Sequence, residues 1–407
     1  MPTGRARPRS RSPRFLGALV VFAATAVLSA CAPQAPQGPK PRSDPFGNLN
    51  GPGYNNWHGD FPDGMVMWDP STGKYYGYST PTGGVDLPII WSTDLATWHT
   101  REVYHPPDQP YPDGWFNDGM VKAASWAWDA PAWDGLSMRK KTWAPHVTKF
   151  GSTYVDFYSV ALSDGDGNPN TWEDEKWCIS YATSTSPLGP FRDTTTGPLV
   201  CGDRPPPGFN HEPSTNPKGS IDPSVTFDEN GNAFLLWRNS GAPMNGSATR
   251  IMVRQLAATK TNWAPGFSTN SSTRELLATL NNSWMGHQIE NPAMIRYGGK
   301  WWLFYSGGYF NDASYAIGFA VCEFATGPCA HITTGSALLS SYNTPHWGPG
   351  GGTPFLDAGG GLRLSYHYWA NNNPGYEYRP DGVWGMRPMT VATLVQGPFG
   401  FAVTATG

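Results

Sequence analysis

Apolar positions along the chain come in short bursts, each opened by a polar or small residue and followed about twelve residues later by an aromatic-rich stretch across a glycine-bearing turn. Asp63-Gly64-Met65-Val66-Met67 precedes Gly73-Lys74-Tyr75-Tyr76. Trp143-Ala144-Pro145-His146-Val147 precedes Gly151 and Tyr154, and Asp222-Pro223-Ser224-Val225 precedes Gly231 and Phe234. Glu290-Asn291-Pro292-Ala293-Met294 precedes Gly298-Gly299-Lys300-Trp301-Trp302, and a weaker fifth copy runs from Gly351-Gly352-Thr353-Pro354-Phe355 to Leu364-Ser365-Tyr366-His367. The aromatic and β-branched residues are strand formers, and the Gly-Lys and Gly-Gly-Lys turns are hairpin signals.

Counted from Asp63 to Ala144, Asp222, Glu290 and Thr353, the intervals are 81, 78, 68 and 63 residues. Each unit is the size of a four-stranded antiparallel blade with elaborated loops. A second echo, small residues followed by Gly-Pro, joins Tyr181–Phe191 to Phe319–Cys329 at one phase of units two and four. Five such units predict an all-β chain folded as a five-bladed β-propeller, with a sandwich or barrel as the competing architecture.

The ends of the chain read differently. Arg5, Arg7, Arg9, Arg11 and Arg14 precede an apolar run from Phe15 to Val27 that ends in Leu28-Ser29-Ala30-Cys31. This is a secretory signal, too short to span a bilayer, and its ending resembles a bacterial lipobox that would make Cys31 the lipidated first residue. Residues 1–31 are therefore expected to be a lipoprotein signal, 32–45 a proline-rich spacer, and 46–407 the propeller. The expected location is outside the cytoplasm, anchored to the cell membrane by lipid or else secreted. In an exported protein the remaining Cys178, Cys201, Cys322 and Cys329 suggest two disulfides, and short separation favours Cys178–Cys201 and Cys322–Cys329 among the three pairings.

Charge narrows the partners. Only 28 Lys and Arg stand against 31 Asp and Glu, a net charge of −3 that offers no footprint for nucleic acid or an anionic membrane surface. The 48 Gly, 40 Pro and 19 Trp fit turn-punctuated sheets and aromatic surfaces of the kind carbohydrate grooves need. The protein is expected to act as a monomer.

In a propeller the inner strands of all blades converge, so the repeat predicts that Asp63, Asp222 and Glu290 meet at one end of the axis. Two carboxyls flanking a scissile bond are the equipment of glycoside hydrolysis, and a third can tune the acid by repulsion. These segments, with Ser92-Thr93-Asp94-Leu95-Ala96-Thr97-Trp98, resemble the successive blade motifs of glycoside hydrolase family 43 over about residues 55–375. The resemblance implies an inverting glycosidase acting on arabinan, arabinoxylan or xylan. Asp63 would be the general base, Glu290 the general acid, and Asp222 an ionised neighbour that modulates and orients the acid. A carbohydrate-binding propeller lipoprotein without catalysis is the alternative.

Two positions depart from the family pattern. Asp63 is followed by Gly64 where the family usually has proline, with Asp60 upstream as a rival base. Gly350-Gly351-Gly352 stands where the fifth blade often has Gly-His, leaving His367 as the candidate ligand for a structural calcium, although no cofactor is required. Trp143, Trp284, His287, Arg238 and Arg296 are the candidate substrate-binding residues. Trp57, Trp115 and His58 are further aromatic or polar candidates, and for the two arginines buried ion pairing is the competing reading.

Overall fold

The computed structural model describes residues 59–81, 86–100, 118–131, 138–162, 176–201, 219–239, 249–257, 273–280, 283–370, 374–375 and 385–404. Cys31, Trp57, His58 and Trp115 lie outside them.

Every regular element among the described residues is a β-strand, and the strands form five main sheets. Blade 1 comprises Met65–Asp69, Lys74–Tyr78, Ile89–Ser92 and His99–Thr100. Blade 2 begins with Thr142–Phe150, Thr153–Leu162 and Lys176–Ser184; Phe191–Arg192 and Val200–Cys201 pair with the last of these, and Met120–Lys122 runs parallel to Phe191–Arg192. Blade 3 is Ser220–Phe227, Ala233–Asn239, Arg250–Gln255 and Arg274–Ala278. Blade 4 is Ile289–Tyr297, Lys300–Gly307, Ala316–Cys322 and Cys329–His331, and blade 5 is Trp347–Leu356, Leu362–Trp369, Met389–Gly397 and Gly400–Thr404. The first strands touch one another in a closed circuit, blade 5 returning to blade 1, so they are the inner strands of a five-bladed β-propeller.

Apolar burial follows from this plan, because each sheet is covered on both faces by its neighbours. Separate clusters fill the five junctions: Tyr78 with Phe191 and Tyr158, Phe157 with Leu235, Met285 with Leu236 and Ile251, Phe304 with Leu364, and Phe61 with Met389 and Trp98. Disulfides tie Cys178 to Cys201 and Cys322 to Cys329, each across adjacent strands. The two echoed Gly-Pro bonds, Gly189-Pro190 and Gly327-Pro328, are both cis. In the Ser92–Trp98 element Asp94 caps a turn through the Ala96 and Thr97 N–H groups, and Trp98 is buried.

One backbone feature marks the repeat better than side-chain chemistry does. Asp63, Ala144, Asp222, Asn291 and Gly351 all have left-handed backbones, with φ of 51°, 45°, 57°, 48° and 63°. In blades 2 to 5 the inner strand loses its register at this point. The bulge turns an inner strand toward the axis at one end of the ring. The true equivalents of Asp63 and Asp222 are therefore Asn291 and Gly351. The expected phase is corrected by one residue at Glu290 and by two at Thr353, because an acid was sought where the backbone asks for a residue tolerant of positive φ, a role Asn fills well.

Candidate active site

Each left-handed residue presents its N–H to the preceding blade, and four of the five junctions use one solution. The acceptors are His367 Nδ1 for Asp63 at 2.9 Å, Thr80 Oγ1 for Ala144 at 2.8 Å, Ser159 Oγ for Asp222 at 2.9 Å, and Ser306 Oγ for Gly351 at 2.9 Å. All four lie at one register position on or just past the second strand of their blade. In blade 3 that position is Arg238, which has donors only. There Asp222 Oδ2 accepts the Asn291 N–H at 2.9 Å instead.

Asp63 is held on several sides. Thr80 donates its hydroxyl to Oδ2 at 2.9 Å while accepting from Ala144, and Arg387 Nη1 stands 3.7 Å from Oδ1. The Arg387 guanidinium in turn lies over the rings of Phe310 and Trp369. Asp60, the rival base, accepts the Arg387 backbone N–H at 2.7 Å and so braces this arginine.

Glu290 pairs with Ser306 at the strand position just before the bulge and is 8% exposed. Tyr315 donates its hydroxyl to Oε1 at 2.7 Å, and Arg238 Nη1 stands 3.4 Å from Oε2. Arg238 is kept in place by Gln288 Oε1 at 3.3 Å. Asp222 is buried beside these groups. Burial first, then the charges of Glu290 and Asp63, push its carboxyl up to about 8, against the opposing pull of Arg238. This rise runs against an Asp222 that stays ionised.

The other candidates divide. Trp143 is the blade-2 counterpart of Glu290, just before Ala144, but its indole is stacked on Trp177 at 3.8 Å, so one face is taken. His287 is exposed in the turn leading to Gln288. Trp284 likewise has one ring face against Tyr305 of blade 4, and its Nε1 donates to the Thr333 carbonyl at 2.5 Å. Arg296 is removed from the site, since it follows Glu290 by six strand residues, roughly 20 Å, and pairs with Glu229 at 2.9 Å. Nearness in sequence misled there.

His367 does not suit a cation. It is fully buried, its Nδ1 takes the Asp63 N–H, and its Nε2 faces the Arg387 guanidinium at 3.5 Å. Calcium would need a shell of oxygen ligands, and here it would meet a fixed positive charge. Burial, with Arg387, lowers His367 to about 3, so the ring is neutral and serves as an acceptor. The glycine run explains itself in the same place. A Cβ at Gly350 would lie 1.8 Å from the Tyr315 ring, one at Gly351 2.8 Å from His367 Nδ1, and one at Gly352 2.9 Å from Ile317.

Sequence reasoning missed Tyr315, Arg387, Thr80, Ser159 and the role of Asn291. For Thr80 and Ser159 a signal existed, since each stands opposite the residue that precedes a left-handed position of the repeat.

The glycosyl hydrolases family 43 model matches residues 57–384 of this chain. Similar solved structures include a thermostable family-43 glycoside hydrolase, with TM-score 0.60, 21% identity, and coverage of 86% of this chain and 95% of that one. An endo-1,4-beta-xylanase from Bacteroides thetaiotaomicron gives TM-score 0.58 at 21% identity, over 86% and 96%. An exo-1,5-alpha-L-arabinanase from a bovine ruminal metagenomic library gives 0.55 at 18%, over 86% and 98%. No curated protein matches the chain.

Proposed function

The chain belongs to family 43 of the glycosyl hydrolases, and from that premise we propose that it cleaves pentose-containing polysaccharides or oligosaccharides of the arabinan, arabinoxylan or xylan type with inversion at the anomeric carbon. The observation that carries this reading is the grouping of Asp63, Asp222 and Glu290 around Asn291, which bonds to Asp222 Oδ2 and faces Asp63 Oδ1.

In the proposed reaction Glu290 gives a proton to the glycosidic oxygen as the bond to the anomeric carbon breaks. Asp63 takes a proton from the water that attacks the opposite face, so the sugar leaves with inverted configuration. Asp222 stands beside this acid, and its own charge state tunes how readily the proton is given up. Arg238 and Arg387, each aimed at a catalytic carboxylate, also offer guanidinium donors to sugar hydroxyls.

The basic and apolar leader ending at Cys31 supports export and lipid anchoring as part of the proposal. Labelling with radioactive palmitate is expected in the full chain and absent in Cys31→Ala.

The deciding experiment incubates the detergent-solubilised full chain with arabinan, arabinoxylan, xylan and aryl pentosides and follows the first-formed anomer by proton NMR. Inverted product is expected, and Glu290→Gln should abolish hydrolysis of natural substrates while retaining binding. First-formed product of retained configuration defeats the mechanism. A wild-type chain that binds pentosans without cleaving them defeats the enzymatic reading in favour of a sugar-binding propeller.

A further inference from the structure

We propose that Tyr315 and Asn291 are positioning residues that join the proton donor to the base through uncharged hydrogen bonds and aim Glu290 at the leaving oxygen. This inference rests on the acid and base roles given above.

The link is continuous. The Tyr315 hydroxyl lies 2.7 Å from Glu290 Oε1 and 2.9 Å from Asn291 Oδ1, and Asn291 Nδ2 reaches Asp63 Oδ1 at 3.5 Å. The backbone N–H of the same asparagine holds Asp222 Oδ2. One residue thus faces two carboxyls directly and the third through a phenol.

Tyr315 has one proton and two acceptors within reach. A charge-assisted bond is stronger than a neutral one, so the hydroxyl turns to Oε1 while Glu290 is a carboxylate. Once Glu290 carries the proton, the hydroxyl is released toward Asn291 Oδ1. Burial and the charges of Glu290, Asp63 and Asp222 raise the phenol well above its ordinary value, so it remains a donor throughout. The groups facing this link are Glu290, Asp63, Asp222, the Arg387 guanidinium 3.7 Å from Asp63 Oδ1, and the neutral His367, whose ring is parallel to that of Tyr315 at 5.8 Å. Arg238 acts on the other Glu290 oxygen.

Asn291 suits this place for two reasons. Its left-handed backbone is one asparagine tolerates. Its amide is neutral, and an aspartate there would add a fourth carboxylate and replace the donor that faces Asp63.

Leaving-group chemistry tests the proposal. A natural pentosyl oligosaccharide needs its leaving oxygen protonated, whereas a dinitrophenyl pentoside does not. Tyr315→Phe in the full-length chain keeps the ring and loses only the hydroxyl. Its kcat on the oligosaccharide should fall roughly tenfold to a hundredfold, as expected for losing a hydrogen bond to a charged group. On the dinitrophenyl substrate it should stay within about twofold, and the alkaline limb of the kcat/KM profile should move. Asn291→Gly, which keeps the positive φ, should show the same selectivity and serves if Tyr315→Phe does not fold. Equal losses on both substrates, or none on either, overturn the proposal while leaving the proposed function intact. A wild-type chain that hydrolyses neither substrate overturns both.

Discussion

The Asn291 N–H donates to Asp222 Oδ2 at 2.9 Å, and this bond stands where a second-strand side chain serves at the other four blade junctions. The exception follows from Arg238, which occupies the acceptor's position in blade 3 and points its cation at Glu290. A proton donor and its neighbouring acid are thus held by the irregularity in a five-fold pattern. Ser159→Ala should leave the Asp222 N–H buried without an acceptor, at a cost of about 1–3 kcal/mol. Urea unfolding monitored by tryptophan fluorescence measures it, and kcat should fall as well because the Asp222 backbone is released.

Asp222→Asn should separate stability from activity. The folded carboxyl titrates near 8 and the unfolded one near 3.8. Between those values the folded state binds more protons, so stability falls as pH rises through the window. An asparagine keeps an oxygen for the Asn291 N–H and removes that loss. The variant should melt higher than wild type at pH 9, by a smaller margin at pH 5, and turn over natural substrate at least ~100-fold more slowly.

The pH dependence of stability should peak between about 6 and 7. His146 and His346 are lowered to about 4 and His367 to about 3, each chiefly by burial. The unfolded chain charges these rings below about 6.5 and the folded chain does not, so stability is lost as pH drops. Asp222 and the buried Asp156 are raised, and their contribution is lost as pH climbs. Differential scanning calorimetry from pH 4 to 9 should show both slopes, with the alkaline one reduced in Asp222→Asn.

Gly350→Ala should damage the site from behind. The new methyl meets the ring of a fully buried Tyr315 at 1.8 Å, and overpacking of this kind costs about 1–3 kcal/mol. The hydroxyl of Tyr315 would be displaced from Glu290, so natural oligosaccharides should suffer more than activated aryl pentosides. Melting curves and paired kinetics check this.

The sequence carried the blade count, since five glycine turns followed by aromatic strands at blade spacing are enough to count sheets. It carried the equivalence of Asp63 and Asp222 too, because both take the left-handed backbone that marks the repeat. It did not carry Tyr315 or Arg387, which lie off the repeat, just before the third strands of blades 4 and 5. Arg296 was misplaced for another reason: a strand carries its residues along by about 3.3 Å each, and six of them separate it from Glu290. The glycine run of blade 5 reads as missing chemistry in one dimension, yet in three it is the space that Tyr315 and His367 occupy.

The Asp63 N–H finds its acceptor on His367, 304 residues later in the chain. At translation rates of 5–20 residues per second, roughly 15–60 s separate the synthesis of these two partners. Throughout that interval the nascent chain holds the first acid with its bracket missing. Hydrolytic competence should therefore arrive with the last blade, and a product truncated before residue 367 should be silent however many blades it has completed.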